Sequence, residues 1–107
     1  MLQISPTDLA KRLASQTPPV LLDVREQDEY AIVHLPNCTL IPLGELGFRM
    51  DELEEFKDRE IVVYCHHGIR SLNAIGQLRH HGFQNLMNLA GGIDRWSQEV
   101  DPSLPRY

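Results

Sequence analysis

Long apolar stretches are missing from this chain, and none of its hydrophobic runs approaches the roughly 20 residues that a membrane-spanning helix needs. The N-terminus also lacks a basic segment followed by an apolar one, which is the pattern of a secretory signal. The sequence therefore predicts a protein that has no membrane partner and works in the cytoplasm.

Basic residues are scarce relative to acidic ones. The chain has 10 lysines and arginines against 15 aspartates and glutamates, which gives a net charge of -5 at pH 7. Binding to a nucleic-acid backbone usually requires a basic face, so this balance argues against nucleic acid as a partner. Arg70 remains available for a small local positive patch.

Cysteine is also rare, since Cys38 and Cys65 are the only 2 in 107 residues. Isolated thiols in a chain without an export signal are more often reduced than joined. Cys65, His66 and His67 are metal-ligating residue types, but adjacent side chains on a turn rarely point at one ion. No second Cys or His pair stands at the spacing of a zinc site. The sequence predicts neither a metal site nor a cofactor.

The chain is long enough for one domain with its own core, since 42% of its 107 residues are hydrophobic. No repeat, low-complexity tract or linker interrupts it. We predict a single domain over residues 1–107, with a core from 4 to 99 and an irregular tail over 100–107, where Pro102 and Pro105 disfavour regular structure. The composition indicates no dimer patch, so a monomer is the default expectation.

Short apolar runs alternate with helical patterns along the chain, which is typical of α/β proteins. Ser5 is a predicted N-cap, with Pro6 at the first helical position. Gly82 stands where the helix after Cys65 would end in a left-handed turn. The patterns predict strands at 20–24, 38–41, 61–64 and 85–89, and helical segments after Ser5 and at 27–32, 50–57, 71–81 and 93–99.

Cys65 stands where a predicted strand ends and a loop leads into a helix. The loop consists of His66, His67, Gly68, Ile69, Arg70 and Ser71. Backbone N–H groups of a tight loop can converge on one point, and the helix adds the positive end of its dipole, so a thiolate is favoured over a thiol. This pattern favours a nucleophile, and the alternative interpretation is a buried structural thiol.

Asp23 and Arg25 stand at the end of another predicted strand. In α/β sheets, ligands bind beyond the carboxyl ends of the strands, so these side chains and Cys65 can share one site. Their opposite charges also allow a simple salt bridge at the strand end.

Several separated motifs occur in a fixed order along the chain: Leu21-Leu22-Asp23-Val24-Arg25-Glu26, Glu29-Tyr30, His34-Leu35-Pro36, Tyr64-Cys65-His66-His67-Gly68-Ile69-Arg70-Ser71, and Asn88-Leu89-Ala90-Gly91-Gly92-Ile93 with Trp96. In this order and spacing they resemble the single-domain rhodanese, or thiosulfate sulfurtransferase-like, family over nearly the whole chain. The resemblance implies a rhodanese-like fold, a central and mostly parallel sheet of about five strands with helices on both faces. The chain departs from the family pattern at Val33, where glycine is usual, and at Cys38, where a small residue is usual.

The resemblance implies a double displacement. Cys65 would take a sulfane sulfur from a small anionic donor such as thiosulfate, hold it as a persulfide, and pass it to a thiophilic acceptor such as cyanide or a thiol. The thiolate and the terminal persulfide sulfur are both anionic, so they need hydrogen-bond donors. We expect the amides from His66 to Ser71 to supply them, Gly68 to let the loop curl, and Arg70 to offer positive charge to the donor. The resemblance also implies that Asp23 and Arg25 bond the loop after Cys65 and hold its shape, and this role and a simple salt bridge at the strand end both remain open.

Loop length separates two chemistries that share this architecture. Four residues stand between Cys65 and Arg70. The related phosphatases and arsenate reductases have one more, which widens the cradle for a tetrahedral oxyanion, so the count favours sulfur transfer. A phosphatase would also need a general acid, for which Asp23 or Glu26 can be imagined.

Two further functions remain open. One is a persulfide carrier that exchanges sulfur with a protein partner in tRNA or molybdenum-cofactor thiolation. The other is a non-catalytic regulatory module, which the retention of Cys65 disfavours. For His66 and His67, a part in acceptor binding or thiolate tuning and no part at all are both open.

Overall fold

Five short parallel strands form one sheet in the computed structural model, which describes residues 2–107. Their order across the sheet is β1-β5-β4-β2-β3, and every neighbouring pair is parallel. The strands are β1 (Gln3–Ile4), β2 (Val20–Asp23), β3 (Thr39–Leu40), β4 (Ile61–Tyr64) and β5 (Leu86–Leu89). This sheet confirms the predicted α/β class and the five or so strands that the resemblance implies, although β1 was not among the four strands that the patterns predict.

Helices connect the strands. They are α1 (Pro6–Leu13), α2 (Gln27–Ile32), α3 (Leu46–Arg49), α4 (Ile69–His80) and α5 (Gly92–Glu99), with 3₁₀ helices at Leu43–Glu45 and Met50–Phe56. Within residues 2–107, none of the helices combines the length and the apolar character that crossing a membrane requires.

Helix ends differ from the sequence patterns in a few places. Ser5 caps α1 as predicted, because its hydroxyl accepts the N–H of Asp8 at 3.1 Å. The acidic segment predicted as a helix at 50–57 is a 3₁₀ helix, and the short α3 before it was not predicted. Helix α4 begins at Ile69 instead of the predicted Ser71. Gly68, with φ of 107°, turns the chain directly from the loop into the helix.

Strand β4 lies in the middle of the sheet, between β2 and β5, and all of it is buried. Alternate side chains point to opposite faces, as a strand dictates. Ile61, Val63 and the following Cys65 pack in one core with α4. Val62 and Tyr64 pack in a second core with α1 and α5. Helices therefore cover both faces of the sheet, as predicted.

The carboxyl ends of β2 and β4 meet at one edge of the sheet. Asp23 pairs with Tyr64 in the strand register, and the N–H of Val24 donates to the Tyr64 carbonyl at 3.2 Å. The residues that follow these two strands are therefore neighbours. This adjacency positions Arg25 and Cys65 on the same edge.

The tail over residues 100–107 contains no helix or strand, yet it returns to the sheet edge that carries Cys65. Arg106 donates to Asp94 on α5 at 3.0 Å. The Tyr107 hydroxyl contacts Glu29 on α2 at 2.9 Å. Two side chains thus fix the tail on either side of the loop after β4.

Candidate active site

The Cys65 side chain lies at the carboxyl end of β4 with 1% of its surface exposed. Three polar groups converge on its sulfur: the N–H of Gly68 at 3.1 Å, the N–H of Ser71 at 3.4 Å, and the Ser71 hydroxyl at 3.4 Å. They belong to the loop and the first turn of α4, so the positive end of the helix dipole faces the sulfur.

The pKa of Cys65 is lowered below the usual value of a thiol. Burial acts most strongly and raises it, because a buried thiolate loses its hydration. The hydroxyl and N–H of Ser71, with the amides of Gly68 and His67, together outweigh burial. The thiolate therefore forms closer to neutral pH than in a free cysteine.

Ser71 also contacts Asn88, a polar residue buried in β5. The Ser71 hydroxyl donates to Asn88 Oδ1, while Asn88 Nδ2 donates to the Gly68 carbonyl at 3.3 Å and to Gln3 Oε1 at 3.1 Å. A hydroxyl has one proton, so Ser71 cannot donate to Asn88 and to Cys65 together. When Cys65 is a thiol, the Ser71 hydroxyl donates its proton to Asn88. When Cys65 is a thiolate, the hydroxyl must rotate and donate to the Cys65 sulfur in order to stabilise it.

This arrangement predicts the effect of Ser71→Ala. The variant loses the hydroxyl that stabilises the Cys65 thiolate, so the pKa of Cys65 should rise. We expect the rate of Cys65 alkylation by iodoacetamide at pH 7 to fall about tenfold, the worth of one hydrogen bond to a charged group. Stopped alkylation followed across pH measures both quantities. Ser97→Ala removes another buried hydroxyl and should leave them unchanged; equal alkylation in all three proteins would contradict the role of Ser71.

Helix α5 holds the loop after β4 from the other side. The N–H of Ile93 donates to the Cys65 carbonyl at 2.9 Å, and the N–H of Asp94 donates to the His66 carbonyl at 3.1 Å. Gly92 makes this approach possible, because a Cβ at this position would lie 2.3 Å from the His66 carbonyl oxygen. The first N–H groups of α5 thereby fix the backbone that carries the sulfur.

Arg70 forms a two-pronged ion pair with Glu29 on α2. Nη1 lies 2.7 Å from Oε2 and Nη2 lies 2.8 Å from Oε1. The hydrogen bonds from Arg70 lower the pKa of Glu29 to about 2, against the opposing effect of burial. The sequence predicts that Arg70 offers its charge to a donor, but in the structure this charge is already paired with Glu29. The neighbouring Ile69 side chain is 78% exposed.

Asp23 and Arg25 form a salt bridge in which both side chains are fully buried, with Nη2 at 2.7 Å from Oδ2. Arg25 also donates to the Val33 carbonyl at 2.6 Å and to the Tyr107 hydroxyl at 2.9 Å. Among residues 2–107, the side-chain hydrogen bonds of this pair join the two residues to each other, to α2 and the Val33 that follows it, and to the tail, and none goes to residues 66–71. The structure therefore favours the salt-bridge interpretation over direct bonding to the loop.

The rings of His66 and His67 do not diverge as expected for neighbours on a turn. They stack with centroids 4.0 Å apart, and His66 also stacks on Tyr107 at 3.9 Å. Ligand atoms of His66, His67 and Asp94 lie within 4.8 Å of one another. These three residues are of types that bind metals, but the Asp94 carboxylate already forms a salt bridge with Arg106 at 3.0 Å.

A family model described as the rhodanese-like domain matches residues 5–99. The chain belongs to the rhodanese-like family. A rhodanese-related protein of Thermoplasma volcanium has a TM-score of 0.82 and 32% identity to this chain, with 94% of each chain covered. The family membership agrees with the parallel sheet and with the resemblance of the motifs.

Two curated relatives that differ in length are similar to this rhodanese-like chain. A sulfurtransferase of Allochromatium vinosum is 34% identical over 100 residues, covering 94% of this chain and 92% of that protein. The adenylyltransferase and sulfurtransferase uba4 of Ogataea parapolymorpha is 40% identical over 97 residues, which cover 91% of this chain and 25% of that protein. The chain thus spans a quarter of the second relative and nearly all of the first.

Cys38, where the chain departs from the rhodanese pattern, packs against the second core, on the opposite face from Cys65. The Tyr64 hydroxyl donates to its sulfur at 3.4 Å. Burial raises the pKa of the Cys38 thiol. Both cysteines are free, and the sheet separates them.

His34 is predicted to form a hydrogen bond with the backbone inside the fold, and its Nδ1 lies 3.0 Å from the Tyr30 carbonyl oxygen.

Three residues of this site were not recognised as such from the sequence: Glu29, Asn88 and Tyr107. Asn88 is the one polar residue of the strand Leu86–Leu89, a pattern that indicates a buried polar contact. Glu29 stands in one of the matching motifs but was given no role. Tyr107 lies in a tail without periodicity, so its contact with α2 left no pattern in the sequence.

Proposed function

We propose that this rhodanese-like chain is a sulfurtransferase in which Cys65 carries the sulfur as a persulfide. The observation that supports this most directly is the buried Cys65 sulfur, which faces the amides of Gly68 and Ser71 and has a lowered pKa. Such surroundings stabilise an anionic sulfur before and after it accepts a second sulfur.

The proposed reaction has two displacements. The Cys65 thiolate attacks the outer sulfur of thiosulfate, a new S–S bond forms, and the old S–S bond breaks with its electron pair leaving on sulfite. Cyanide or an acceptor thiolate then attacks the terminal sulfur, and the electron pair of the Cys65–S bond returns to Cys65. No oxidant or reductant is consumed, and the backbone donors near Sγ serve both anionic states.

Several features favour sulfur transfer over phosphate-ester hydrolysis. The short loop between Cys65 and Arg70 fits the sulfur chemistry, as the sequence indicated. Asp23, one candidate for a phosphatase general acid, is fully buried and receives two hydrogen bonds from the Arg25 side chain within 3.0 Å. A carboxylate that is fully buried and already bonded to a guanidinium is out of reach of a substrate's leaving group.

Steady-state kinetics with thiosulfate and cyanide test this proposal. A double displacement predicts parallel lines in double-reciprocal plots, because the first product leaves before the second substrate reacts. Cys38→Ser is the matched control and should retain the wild-type rate, since Cys38 lies on the other face of the sheet. Intersecting lines would indicate a ternary complex and contradict a persulfide intermediate.

A persulfide carrier that serves a protein partner is the second candidate. Ile69, which begins α4 beside Cys65, is an apolar residue with 78% of its surface exposed, as expected at a protein contact. The Ogataea relative unites an adenylyltransferase and a sulfurtransferase in one chain, by its name. Loading of Cys65 by a cysteine desulfurase at a higher rate than by thiosulfate would favour this candidate, and the reverse order would favour the small-molecule enzyme.

A further inference from the structure

The Glu29 carboxylate is held by four donors, which is unusual for an ion pair near a protein surface. Oε1 receives Arg70 Nη2 at 2.8 Å and the Tyr107 hydroxyl at 2.9 Å. Oε2 receives Arg70 Nη1 at 2.7 Å and the N–H of Glu26 at 2.9 Å. The Glu29 side chain is 16% exposed. Exposed ion pairs are weak because water and side-chain mobility compete with them, and both are restricted here.

Tyr107 contributes to this arrangement from the tail. Its hydroxyl accepts from Arg25 Nη1 at 2.9 Å and so directs its own proton to Glu29. The Tyr107 ring lies on His66 at 3.9 Å. The tail therefore fixes the carboxylate in place at the loop that carries Cys65.

Arg70 stands in the first turn of α4 next to Ser71, whose N–H donates to the Cys65 sulfur at 3.4 Å, so its charge lies near that sulfur. The pKa of Arg70 is raised, first by its hydrogen bonds to Glu29 and more weakly by the negative charge of Cys65. Without Glu29, the guanidinium would attract any anion that approaches the sulfur. With Glu29 in contact, the charges of Arg70 and Glu29 cancel, and the Cys65 thiolate leaves the site with a net negative charge. A dianion is repelled by such a site more than a monoanion or a neutral molecule.

We propose that Glu29 is a specificity-determining residue that turns this site from dianionic sulfur donors towards persulfides of low charge. The inference rests on the proposed sulfur transfer and names its donor class. The Cys65 thiolate attacks the terminal sulfur of a donor R–S–SH and forms a new S–S bond to it. The S–S bond of the donor breaks, and its electron pair leaves on the thiolate R–S⁻. Thiosulfate carries two negative charges. To reach the Cys65 sulfur, it must displace Glu29 from Arg70 or bind despite repulsion by the Glu29 carboxylate.

The test is Glu29→Gln, assayed with thiosulfate and with the hydropersulfide of 2-mercaptoethanol, which carries at most one charge. Glutamine keeps the shape and removes the charge. We expect kcat/KM for thiosulfate to rise about tenfold, mainly through a lower KM, and kcat/KM for the hydropersulfide to change less than about twofold. Glu52→Gln is the matched control. Glu52, on the 3₁₀ helix Met50–Phe56, forms a similar ion pair with Arg49, and replacing it changes the net charge of the protein by the same amount.

Salt dependence provides a second measurement that a purely structural role of Glu29 would not change. In wild type, added KCl should raise kcat/KM for thiosulfate, because salt screens the repulsion. In Glu29→Gln the charges of Arg70 and of the Cys65 thiolate cancel, so the salt dependence should largely disappear, while Glu52→Gln keeps the wild-type slope. Equal effects of Glu29→Gln on both donors, or an unchanged slope, would overturn the role of Glu29.

The same experiments separate this inference from the proposed function. Sulfur uptake by wild-type Cys65 from both donors, with no donor-dependent effect of Glu29→Gln, would remove only the role of Glu29. Uptake from neither donor would contradict the sulfur-transfer proposal and this inference with it. Tyr107→Phe, which keeps the ring on His66 and removes one donor to Glu29, should raise thiosulfate use in the same direction by a smaller factor; a fall would contradict the part assigned to the tail.

Discussion

A chain in which serine replaces Cys65 should take up no sulfur and lose at least about a thousandfold in turnover. The serine hydroxyl stays protonated at neutral pH, and an oxygen cannot form the S–S bond that stores the sulfane sulfur. The fold should persist, because serine is slightly smaller than cysteine and the amides of Gly68 and Ser71 can bond its oxygen. We expect a thermal midpoint within about 3 °C of wild type.

Two measurements check this expectation. Turnover with thiosulfate and cyanide gives the loss of activity, and circular dichroism with thermal unfolding shows whether the fold is kept. Cys38→Ser controls for the loss of a thiol elsewhere in the chain and should behave as wild type. Retained sulfur uptake in Cys65→Ser would disprove the assignment of the nucleophile.

Gly92→Ala should cost about 3 kcal/mol or more of the free energy of unfolding and disturb the loop that holds Cys65. The new methyl group would lie 2.3 Å from the His66 carbonyl oxygen and 2.5 Å from the Cys65 carbonyl oxygen, and φ at this position is 64°. Both carbonyls are backbone atoms, so relief requires moving α5 away from the loop. Because the N–H groups of α5 then lose their bonds to these carbonyls, turnover should fall along with stability.

Urea unfolding of Gly92→Ala measures the first effect, and turnover of the folded fraction measures the second. Gly76→Ala is a matched control, since Gly76 lies inside α4 and a Cβ there meets nothing within 4 Å. That change should stabilise the protein by about 0.5–1 kcal/mol through helix propensity. If Gly92→Ala unfolded at the same urea concentration as wild type, the close approach of α5 to the loop would not be needed for stability.

The sequence predicts the frame of this protein well because short-range patterns control it. The run from Ile61 to Tyr64 is apolar throughout, since helices cover both faces of its strand. Ser5 and Gly82 mark a helix start and a helix end through local backbone chemistry. The order of the motifs then indicates the family, and from it a mostly parallel sheet of about five strands, but not the order of those strands.

The polar partners of the site are harder to predict, because they depend on contacts between distant segments. Glu29 and Arg70 are 41 positions apart, and their pairing depends on how α2 lies against the loop. Tyr107 and Glu29 are 78 positions apart. A sequence motif shows that Arg70 is charged but not that its charge is cancelled. Whether Asp23 and Arg25 bond to the loop after Cys65 or only to each other likewise depends on the positions of their side chains in the fold.

The central claim is that Cys65 carries a sulfane sulfur, and intact-mass spectrometry tests it most directly. Reduced wild-type protein would be incubated with thiosulfate, weighed, treated with cyanide and weighed again, beside Cys65→Ser. We predict a gain of about 32 Da that cyanide removes and that the variant never shows. Uptake in Cys65→Ser, or none in wild type from thiosulfate, a low-charge persulfide or a cysteine desulfurase, would contradict the account.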